Sequence, residues 1–547
     1  MDLKATARGS LPPSVYGIAR TTVRRLRPRA RRMRRVVRAT MRGRHAAFAH
    51  AYGRIRLQQA SFRAGPTRPL LRHLDAELLV GLGLEHLRGG RLRDGVDAFD
   101  RARSLSPGNE RAQRFGHQAL GDLHVISGEW VPPDMTHLER FEPVSGRVLH
   151  VVGKSLPYEN GYTLRTHAIV GSQRAAGLDP HVMTDDAFFR VMNGTVYRPA
   201  ESIEGTRYHR IPPPVAPTGG MSVRLDRRLT LGGAVVGRVR PSVLHAASDF
   251  LNAEAVIAWG QRFDLPTVYE VRGFWAETWL SGDRGARAAT SDTYLGRQAR
   301  ERACMLGVDV VVTLGDAMKA NIIEQGIDES KVVVIPNAVD IERFSPGPRP
   351  EALAASLGLG RDDLVVGYVT SMTAYEGIPH LIEALASLRR TGHRVRALLV
   401  GDGTARPMLE AMCRRLGVSD SVVFTGWVDH GQIIDYYRLI DVFVIPRSDT
   451  RVCQLVTPLK PYEAMAAGCP VVASDVQAIH EMVIDGRTGL LFRAGSTPAL
   501  VAALDGLLND PAERARLAGN ARAWVAEHRT WGHNARRYVE VYRQLGA

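Results

Sequence analysis

Residues 457–475 (TPLKPYEAMAAGCPVVASD) combine a cation and a carboxylate with the pattern of a helix that leads into a strand. Lys460 and Glu463 lie where the helix would begin. Gly468 and Pro470 are typical of its end. A helix start and a lysine can bind a phosphate, and the carboxylate can accept hydrogen bonds from sugar hydroxyls. A small-residue helix packed on a sheet, with both charges in solvent, fits equally well, so the stretch alone leaves both interpretations open.

Strands and helices alternate around this stretch. Short apolar runs predict strands at 364–369, 397–400, 422–425, 442–445 and 471–474. Helices are predicted at 379–390, 405–416, 432–439, 460–467 and 498–508, and a helical segment closes the chain at 511–545. This alternation predicts a parallel, doubly wound sheet.

A similar alternation begins near residue 147. Strands are predicted at 148–152, 181–184, 243–245, 267–271, 308–313 and 332–335, with a first helix at 164–176. The Pro- and Gly-rich segment 193–236 predicts an irregular excursion on the surface. Two open α/β sheets in series form a cleft at the carboxyl ends of their strands, where such sheets bind ligands.

Composition places the chain among soluble globular proteins. Its 547 residues suffice for about three domains, and 45% of them are hydrophobic. No apolar window is long enough for a transmembrane helix, and the N-terminus lacks the pattern of a secretion signal. Four scattered cysteines do not fit a disulfide scaffold or a metal site and predict small buried residues in a reducing compartment. We therefore expect a cytoplasmic protein.

The positive charge is concentrated at the start of the chain. Residues 1–60 contain sixteen Lys and Arg and one acid, Asp2, which is +15 of the net charge of +16. The dense run at 20–44 is interrupted by Pro28, so it is a weak candidate for an amphipathic helix. An arm on anionic lipid headgroups, a nucleic-acid-binding arm and a solvated disordered tail all fit. We favour an anionic membrane surface, where each basic residue contributes about 1 kcal/mol. Nucleic acid is not favoured because no aromatic interleaving is present.

Residues 66–145 predict a helical segment. Its small and large apolar residues resemble one tetratricopeptide unit, with small residues where two helices cross: Gly83, Leu87, Gly90, Ala98, Phe99, Ala102, Leu105 and Pro107. One unit cannot bury its own faces, and arrays normally need about three. A helical hairpin docked on the neighbouring domain is therefore an equal alternative.

Several motifs occur in the order found in a known family. They are PYENGY at 157–162 with RTH at 165–167, YEVRGFW at 269–275, VIPNAVD at 334–340, LLVGDG at 398–403, FTG at 424–426 and PYEAMAAG at 461–468. Together they resemble the retaining glycosyltransferases of family 4, which have the GT-B fold of two Rossmann-like domains.

The resemblance implies a donor site. Glu463 would hold the ribose hydroxyls of a nucleotide sugar, and backbone N–H groups near Thr457 and in the Gly161 loop would meet its diphosphate. The donor-binding residues implied are Gly161, Tyr162, Ser371, Gly377, Gly401, Gly403, Arg447, Thr457 and Glu463. The catalytic residues implied are Glu463, Lys460, His245 and Arg272. Positive groups would stabilise the leaving diphosphate without a metal, and no cofactor besides the UDP- or GDP-linked donor is expected.

The chain departs from the family pattern at several of these positions. Leu455 stands where members usually carry an acid eight residues before the E-A-M-A glutamate, and Gln454 is the nearest polar residue. Ser371 and Glu376 stand where many members have an arginine and a lysine. Their place in a phosphate clamp could be taken by Lys460, Arg447 and Arg451.

The histidine that members often place near the end of the strand at 267–271 is absent too. Glu270 and Arg272 occur there instead. His245 ends another strand and either faces the sugar or is a satisfied buried histidine.

We therefore predict an α/β protein of the GT-B type, with two Rossmann-like doubly wound parallel-sheet domains facing a cleft and an N-terminal basic helical extension. The predicted segments are a basic arm at 1–65, a tetratricopeptide-like hairpin at 66–145, an acceptor domain at 146–335, a nucleotide-sugar domain at 336–525 and a closing helix at 526–547 that crosses back to the acceptor domain.

The predicted activity is retaining transfer of a hexose-type sugar from a UDP- or GDP-sugar to a hydroxyl of a glycan or lipid-linked acceptor, in cell-surface polysaccharide or glycolipid synthesis. The enzyme would be cytoplasmic, with the basic arm on the inner membrane surface. The alternative is a non-catalytic sugar-nucleotide or glycan-binding protein of the same fold, which Gln454, Ser371 and Glu376 keep open.

Overall fold

A computed structural model describes residues 68–185, 197–213, 219–281 and 286–547. The basic arm at 1–65 lies outside the described residues, as does part of the segment at 193–236. Residues 78–547 form one compact unit, which contains both sheets and the cleft between them. No helix in the described part of the chain is long and apolar enough to cross a bilayer.

Helices α1 (Arg68–Arg88), α2 (Leu92–Leu105) and α3 (Glu110–Ile126) precede the first sheet. The predicted crossing of two helices at small residues is confirmed, because a Cβ on Gly83 would lie 2.6 Å from the Phe99 ring. The prediction of a hairpin missed α3, which packs on the neighbouring domain at Gly121 and Ile126. Docking on that domain, rather than a repeat array, buries this segment.

The N-domain is built on the first sheet, which has eight strands within the described residues. They are β1 (Val144–Val152), β2 (Asp179–Thr184), β3 (Ala200–Ile203), β4 (Thr206–Arg210), β5 (Pro241–Ala247), β6 (Thr267–Val271), β7 (Val310–Thr313) and β8 (Val332–Val334), in the order β3-β4-β2-β1-β5-β6-β7-β8. All neighbours are parallel except β3 and β4. The flanking helices are α4 (Gly161–Ala175), α5 (Met221–Val239), α6 (Phe250–Phe263), α7 (Trp275–Leu280), α8 (Asp292–Gly307) and α9 (Asp316–Glu324).

The prediction of an irregular excursion at 193–236 is wrong where the segment is described. Strand β4 pairs with β2 inside the sheet, and α5 covers one face. Two of the glycines that suggested a loop, Gly232 and Gly233, lie inside α5, where a Cβ on Gly232 would meet the Trp259 ring at 2.6 Å. They make room for the large ring of the neighbouring helix.

The C-domain is built on the second sheet, whose region of the chain is described throughout. Its strands are β9 (Leu364–Val369), β10 (Val395–Val400), β11 (Val422–Phe424), β12 (Val442–Ile445), β13 (Val471–Asp475) and β14 (Leu490–Arg493), all parallel in the order β11-β10-β9-β12-β13-β14. The helices are α10 (Glu351–Ser356), α11 (Ile378–Arg390), α12 (Arg406–Leu416), α13 (Ile433–Tyr437), α14 (Arg451–Leu455), α15 (Lys460–Ala466), α16 (Gln477–His480) and α17 (Thr497–Asn509). The five predicted strands are confirmed, and β14 was not predicted.

The stretch at 457–475 folds as its pattern indicates. Helix α15 ends before Gly468, which has a φ of +84°, and strand β13 follows. A residue with a side chain would be strained at that φ.

The closing segment contains two helices, α18 (Pro511–His528) and α19 (Trp531–Gln544), and α19 lies within the predicted closing helix at 526–547. Helix α19 packs on α4 of the N-domain, where the Tyr542 hydroxyl bonds Gln173 at 3.0 Å and His245 at 2.7 Å. The chain therefore returns from the C-domain to the N-domain at its end.

Candidate active site

Glu463 lies on α15 at the carboxyl edge of the second sheet, and only 7% of the residue is exposed. Its Oε2 atom accepts hydrogen bonds from the Tyr437 hydroxyl at 2.8 Å and from Lys460 Nζ at 3.2 Å. Its Oε1 atom accepts none from the described residues. The protein thus fixes one carboxylate oxygen and leaves the other able to accept further hydrogen bonds.

The start of α4 faces α15 from the N-domain. A Cβ on Gly161 would lie 3.7 Å from Leu459 Cδ1, the residue directly before α15. This is an ordinary van der Waals distance, so protein packing does not require glycine here, and the open space is available to a ligand. Asn160 Oδ1 already accepts the backbone N–H groups of Tyr162 and Thr163. The predicted diphosphate contact can therefore use the N–H of Gly161 but not these two.

Tyr162 forms part of the cleft wall. Its ring stacks on Trp275 with a centroid distance of 5.5 Å, and 40% of the residue is exposed. Desolvation by surrounding protein, with a further contribution from Tyr375, raises the pKa of Tyr162 to about 12. Exposure and desolvation together are expected of a ring on a concave wall, and the hydroxyl stays protonated at neutral pH.

The three predicted glycines of the C-domain are required by the protein backbone itself. A Cβ on Gly377 would lie 1.8 Å from the Pro446 carbonyl oxygen, one on Gly401 2.0 Å from that of Thr370, and one on Gly403 1.9 Å from that of Ser371. Gly377 and Gly401 also have φ values of +67° and +121°. Glycine is required at these positions because the loops after β9, β10 and β12 pack closely against one another. The close approach of a ligand is not needed to explain them.

Arg447 does not present a free cation to the cleft. Its Nη1 donates to the carbonyl oxygen of Val456 at 2.8 Å, and its Nε lies 3.7 Å from the carboxylate of Glu376. Both charged side chains are buried. The prediction that Arg447 replaces the phosphate clamp is therefore wrong: it holds the segment before Thr457 and is neutralised by Glu376.

Thr457 is fixed by a buried chain of hydrogen bonds that joins the domains. Asn337 Nδ2 donates to the Thr457 carbonyl oxygen at 2.9 Å. Arg165 Nη1 donates to Asn337 Oδ1 at 2.6 Å. Because Arg165 lies on α4 and Thr457 lies in the segment that leads into α15, this chain of hydrogen bonds links the two walls of the cleft.

His245 and Arg272 do not reach the cleft, so their predicted catalytic roles are wrong. His245 is completely buried beneath α19, and burial lowers its pKa, so the imidazole stays neutral. Arg272 is also buried, and its Nη2 donates to Glu270 Oε2 at 2.8 Å. Both side chains belong to a polar cluster at the end of β6 that ties the strand to α4 and α19.

The polar candidate next to the missing acid is occupied by protein contacts as well. Gln454 donates to Asp449 at 2.6 Å and accepts the backbone N–H of Gln477 at 2.7 Å. Leu455 packs into the N-domain core. At the position where the resemblance implies an acid against the donor sugar, this chain has an apolar contact between the domains.

Glu481 contributes another contact between the domains. Its carboxylate accepts the backbone N–H groups of Asp316 and Ala317, each at 2.8 Å, and so caps α9 of the N-domain. A second contact between the domains is the hydrogen bond from the His430 N–H to the Glu159 carboxylate at 3.2 Å.

Two family models match the chain. "Glycosyl transferase 4-like domain" covers residues 160–338 and "Glycosyl transferases group 1" covers residues 351–524. The D-inositol 3-phosphate glycosyltransferase of Kineococcus radiotolerans is 30% identical over 310 residues, which are 53% of this chain and 68% of that protein. The chain belongs to the group 1 glycosyl transferases. It is also 29% identical over 308 residues to the glycogen synthase of Mycobacterium tuberculosis, covering 55% of this chain and 69% of the relative.

Solved structures bear out the GT-B fold. The sucrose-phosphate synthase of Thermosynechococcus elongatus superposes with a TM-score of 0.61 at 22% identity, covering 73% of this chain and 98% of that one. Anabaena Alr3699/HepE in complex with UDP and glucose superposes with a TM-score of 0.58 at 19% identity, covering 73% and 99%. At these identities the match shows the fold alone.

In this member of the group 1 glycosyl transferases, the structure brings most predicted donor-site residues to one edge. Lys460, Glu463 and Thr457 lie at or before the start of α15, and the loops that carry Ser371, Gly377, Gly401 and Gly403 follow neighbouring strands. Sequence reasoning included Asn337 in the motif at 334–340 but missed its bond to Thr457, and it missed Tyr437 and the Glu376–Arg447 pair. Nothing in their spacing could have revealed them, because each partner lies on a different element. No group of three His, Cys, Asp or Glu side chains in the described ranges could hold a metal.

Proposed function

We propose that the protein is a retaining glycosyltransferase that moves a hexose-type sugar from a UDP- or GDP-sugar to a hydroxyl of a glycan or lipid-linked acceptor. The observation that carries the proposal is the Glu463 carboxylate, which Tyr437 and Lys460 hold by one oxygen while the other has no partner among the described residues. The free carboxylate oxygen can accept hydrogen bonds from two vicinal ribose hydroxyls.

The diphosphate of the donor would lie between the start of α15 and Gly161. Lys460, whose side chain is about a quarter exposed (28%), supplies the nearest cation, and the Gly161 position leaves room for phosphate oxygens. Helix α15 has seven residues, so the lysine charge matters more here than a helix dipole. A cation held in place stabilises the negative charge that grows on the leaving diphosphate, and we propose that no metal is needed.

The acceptor would bind on the N-domain side, with its hydroxyl near the wall formed by Tyr162 and Trp275. The bonds from Asn337 and Glu481 between the domains favour a closed cleft, which excludes water from the reacting sugar. Retention of configuration is proposed from the resemblance in sequence. The hexose-type donor is proposed from the same resemblance, and the relatives named glycogen synthase and D-inositol 3-phosphate glycosyltransferase support transfer of a sugar.

The basic arm would bring the enzyme to an anionic membrane, at the cytoplasmic face where lipid-linked acceptors are available. The support is its charge, +15 within residues 1–60. Flotation with anionic liposomes at moderate salt tests this step. A chain without residues 1–65 should remain unbound, and unchanged binding would remove the membrane role.

A second candidate is a binding protein of the same fold that does not transfer sugar. It is favoured by Leu455, which packs between the domains where an acid is expected, and by Glu376, which neutralises Arg447. It predicts nucleotide binding without turnover.

Nucleotide release from UDP-, GDP- and ADP-sugars separates these candidates. The assay is run with and without an anionic-lipid extract, on wild type, Glu463→Gln and the control Glu351→Gln, whose glutamate is exposed on α10. Transfer predicts release from one donor that falls about 100-fold or more in Glu463→Gln and is unchanged in the control. Thermal stabilisation by a nucleotide, with no release under any condition, would contradict transfer and support the binding protein.

A further inference from the structure

The segment that leads into α15 is held by both domains. Leu455 and Val456 pack against the apolar core of the N-domain, although both residues lie between β12 and β13 of the C-domain. On the C-domain side, the carbonyl oxygen of Val456 accepts a hydrogen bond from Arg447 Nη1 at 2.8 Å. Because Lys460 and Glu463 follow on α15, the placement of this segment decides where both side chains lie.

Asn337 joins this segment to the linker between the domains. It follows β8 and is buried, with 2% of the residue exposed. Its Nδ2 donates to the Thr457 carbonyl oxygen at 2.9 Å, and its Oδ1 accepts from Arg165 Nη1 at 2.6 Å. These partners fix the orientation of the amide, because a carbonyl oxygen can only accept and a guanidinium can only donate. An asparagine makes both bonds at once, whereas an ionised aspartate could make only the bond to Arg165.

Arg165 ties the other end of this chain of hydrogen bonds to the N-domain. Its Nε and Nη2 donate to Glu270 Oε1 at 3.1 and 2.7 Å, and its Nη1 also donates to the Pro336 carbonyl oxygen at 3.3 Å. A buried guanidinium whose donors are occupied in this way has little freedom to move. The N-domain therefore fixes the position of Asn337, and Asn337 fixes that of the Thr457 carbonyl group.

We propose that Asn337 is a positioning residue for the donor site and that it acts through Thr457 on α15. Thr457 is followed by Pro458, which restricts the backbone of both residues, so the direction of the Thr457 carbonyl group constrains the start of the helix. With the bond in place, the Glu463 carboxylate meets the ribose hydroxyls of the donor. Without it, the carboxylate is displaced from them. The inference rests on the proposed function for the identity of this ligand.

The donor site then depends on the N-domain, although its side chains belong to the C-domain. Leu455 and Val456 supply the apolar part of this dependence, and Asn337 supplies the polar part. Asn337 is buried and bonded to Thr457 and Arg165, so it does not contact the ligand itself. Removing its Nδ2 group should therefore weaken the ribose contacts without removing any atom that touches the nucleotide.

Calorimetric titration of the full chain with UDP or GDP, and with the 2′,3′-dideoxy analogue of the same nucleotide, tests the proposal. Wild type should bind the ribonucleotide about tenfold or more tightly than the analogue. At pH 8, where a carboxyl beside Arg165 is ionised, Asn337→Asp keeps the bond to Arg165 and loses the bond to Thr457. The preference for the ribonucleotide should then fall to about threefold or less. A preference as large as that of wild type in folded Asn337→Asp would overturn the proposal.

Two alanine variants provide a matched comparison, with thermal melting to show that each is folded. Asn534 is a buried asparagine of α19 that donates to the Pro336 carbonyl oxygen at 2.7 Å, beside Asn337 in the chain. Asn337→Ala should lose the preference for the ribonucleotide, whereas Asn534→Ala should keep it even if its melting temperature falls. A merely structural role of Asn337 would lower the melting temperature and leave the preference unchanged. Equal loss of the preference in the two alanine variants would also overturn the proposal.

Failure of this inference is distinguishable from failure of the proposed donor site. If wild type shows no preference for the ribonucleotide, Glu463 does not hold the ribose, and both proposals are overturned. If the preference is present in wild type, disappears in Glu463→Ala and persists in Asn337→Asp, the donor site stands and the positioning role of Asn337 is overturned. Loss of the preference in both variants would support both proposals.

Discussion

Replacing Glu270 by glutamine should destabilise the N-domain by about 3–5 kcal/mol, because the carboxylate is the centre of a fully buried ionic cluster. Glu270 Oε1 accepts from Arg165 Nη2 at 2.7 Å and Oε2 accepts from Arg272 Nη2 at 2.8 Å. Tyr538 of α19 donates to Oε1 at 3.1 Å. The substitution keeps the shape but leaves two buried guanidinium groups without a counter-charge.

The stability that Glu270 contributes should also depend on pH. Burial acts to raise the pKa of Glu270, but Arg272 and then Arg165 outweigh it and hold the pKa well below 4.5. A carboxyl whose pKa is lower in the folded state contributes stability above its unfolded pKa and loses it as the pH falls through the folded value. The difference in the free energy of unfolding between wild type and Glu270→Gln should therefore have its full value at pH 7 and should shrink below about pH 4.5.

Urea denaturation followed by tryptophan fluorescence measures this difference, with the N-domain transition fitted separately if the two domains unfold in turn. Glu410→Gln is the control, since Glu410 lies on the surface of α12, where substitutions change stability by about 0.5 kcal/mol or less. If Glu270→Gln lowers the free energy of unfolding by less than about 1 kcal/mol, the cluster does not depend on this carboxylate and the reasoning is refuted.

Three further substitutions test single features. Glu301→Gln should raise the free energy of unfolding by about 1 kcal/mol at pH 5 and by up to about 5 kcal/mol at pH 9. The reason is that folding raises the Glu301 pKa from 4.5 to about 8, so wild type loses stability as the pH rises through this range. Urea denaturation at both pH values measures the effect, and equal curves for the two proteins would contradict it. Gly377→Ala should lower the free energy of unfolding by about 2 kcal/mol or more in the same assay, because Gly377 has a φ of +67° and a Cβ there would overlap the Pro446 carbonyl. Stability equal to that of wild type would show that the loop can move. Glu481→Ala removes the cap of α9 and should lower the free energy of unfolding by about 1 kcal/mol. It should also speed amide hydrogen exchange at Asp316 and Ala317, and unchanged exchange would contradict the role of Glu481 as a cap.

Much of the fold follows from local sequence. The strands at 364–369 and 442–445 begin and end where predicted, because each is an apolar run that starts after an aspartate and stops before a threonine or a proline. Helix α15 and Gly468 also follow from their own residues. Strand β4, with the sequence TRYHR, was missed because only its place inside the sheet makes it a strand.

Side-chain roles were harder to predict than elements. His245 was expected to end its strand, but β5 continues to Ala247, and α19, nearly 300 residues later in the chain (297 from His245 to Tyr542), covers the side chain. Arg447 follows β12 at the predicted edge of the sheet, and its charge is neutralised by Glu376 of another loop. A motif places the backbone of a residue, whereas the partner that decides whether its side chain is available comes from elsewhere in the chain.

The measurement that tests the donor site most directly compares a nucleoside diphosphate with its 2′,3′-dideoxy analogue in calorimetric titrations of wild type and Glu463→Ala. UDP or GDP is used, whichever wild type binds more tightly. If Glu463 holds the ribose, removing the hydroxyls should weaken binding to wild type about tenfold or more and have little effect in the variant, a coupling of about 1.5 kcal/mol or more. Equal weakening in both proteins would contradict the assignment of Glu463 to the ribose and with it the site described here.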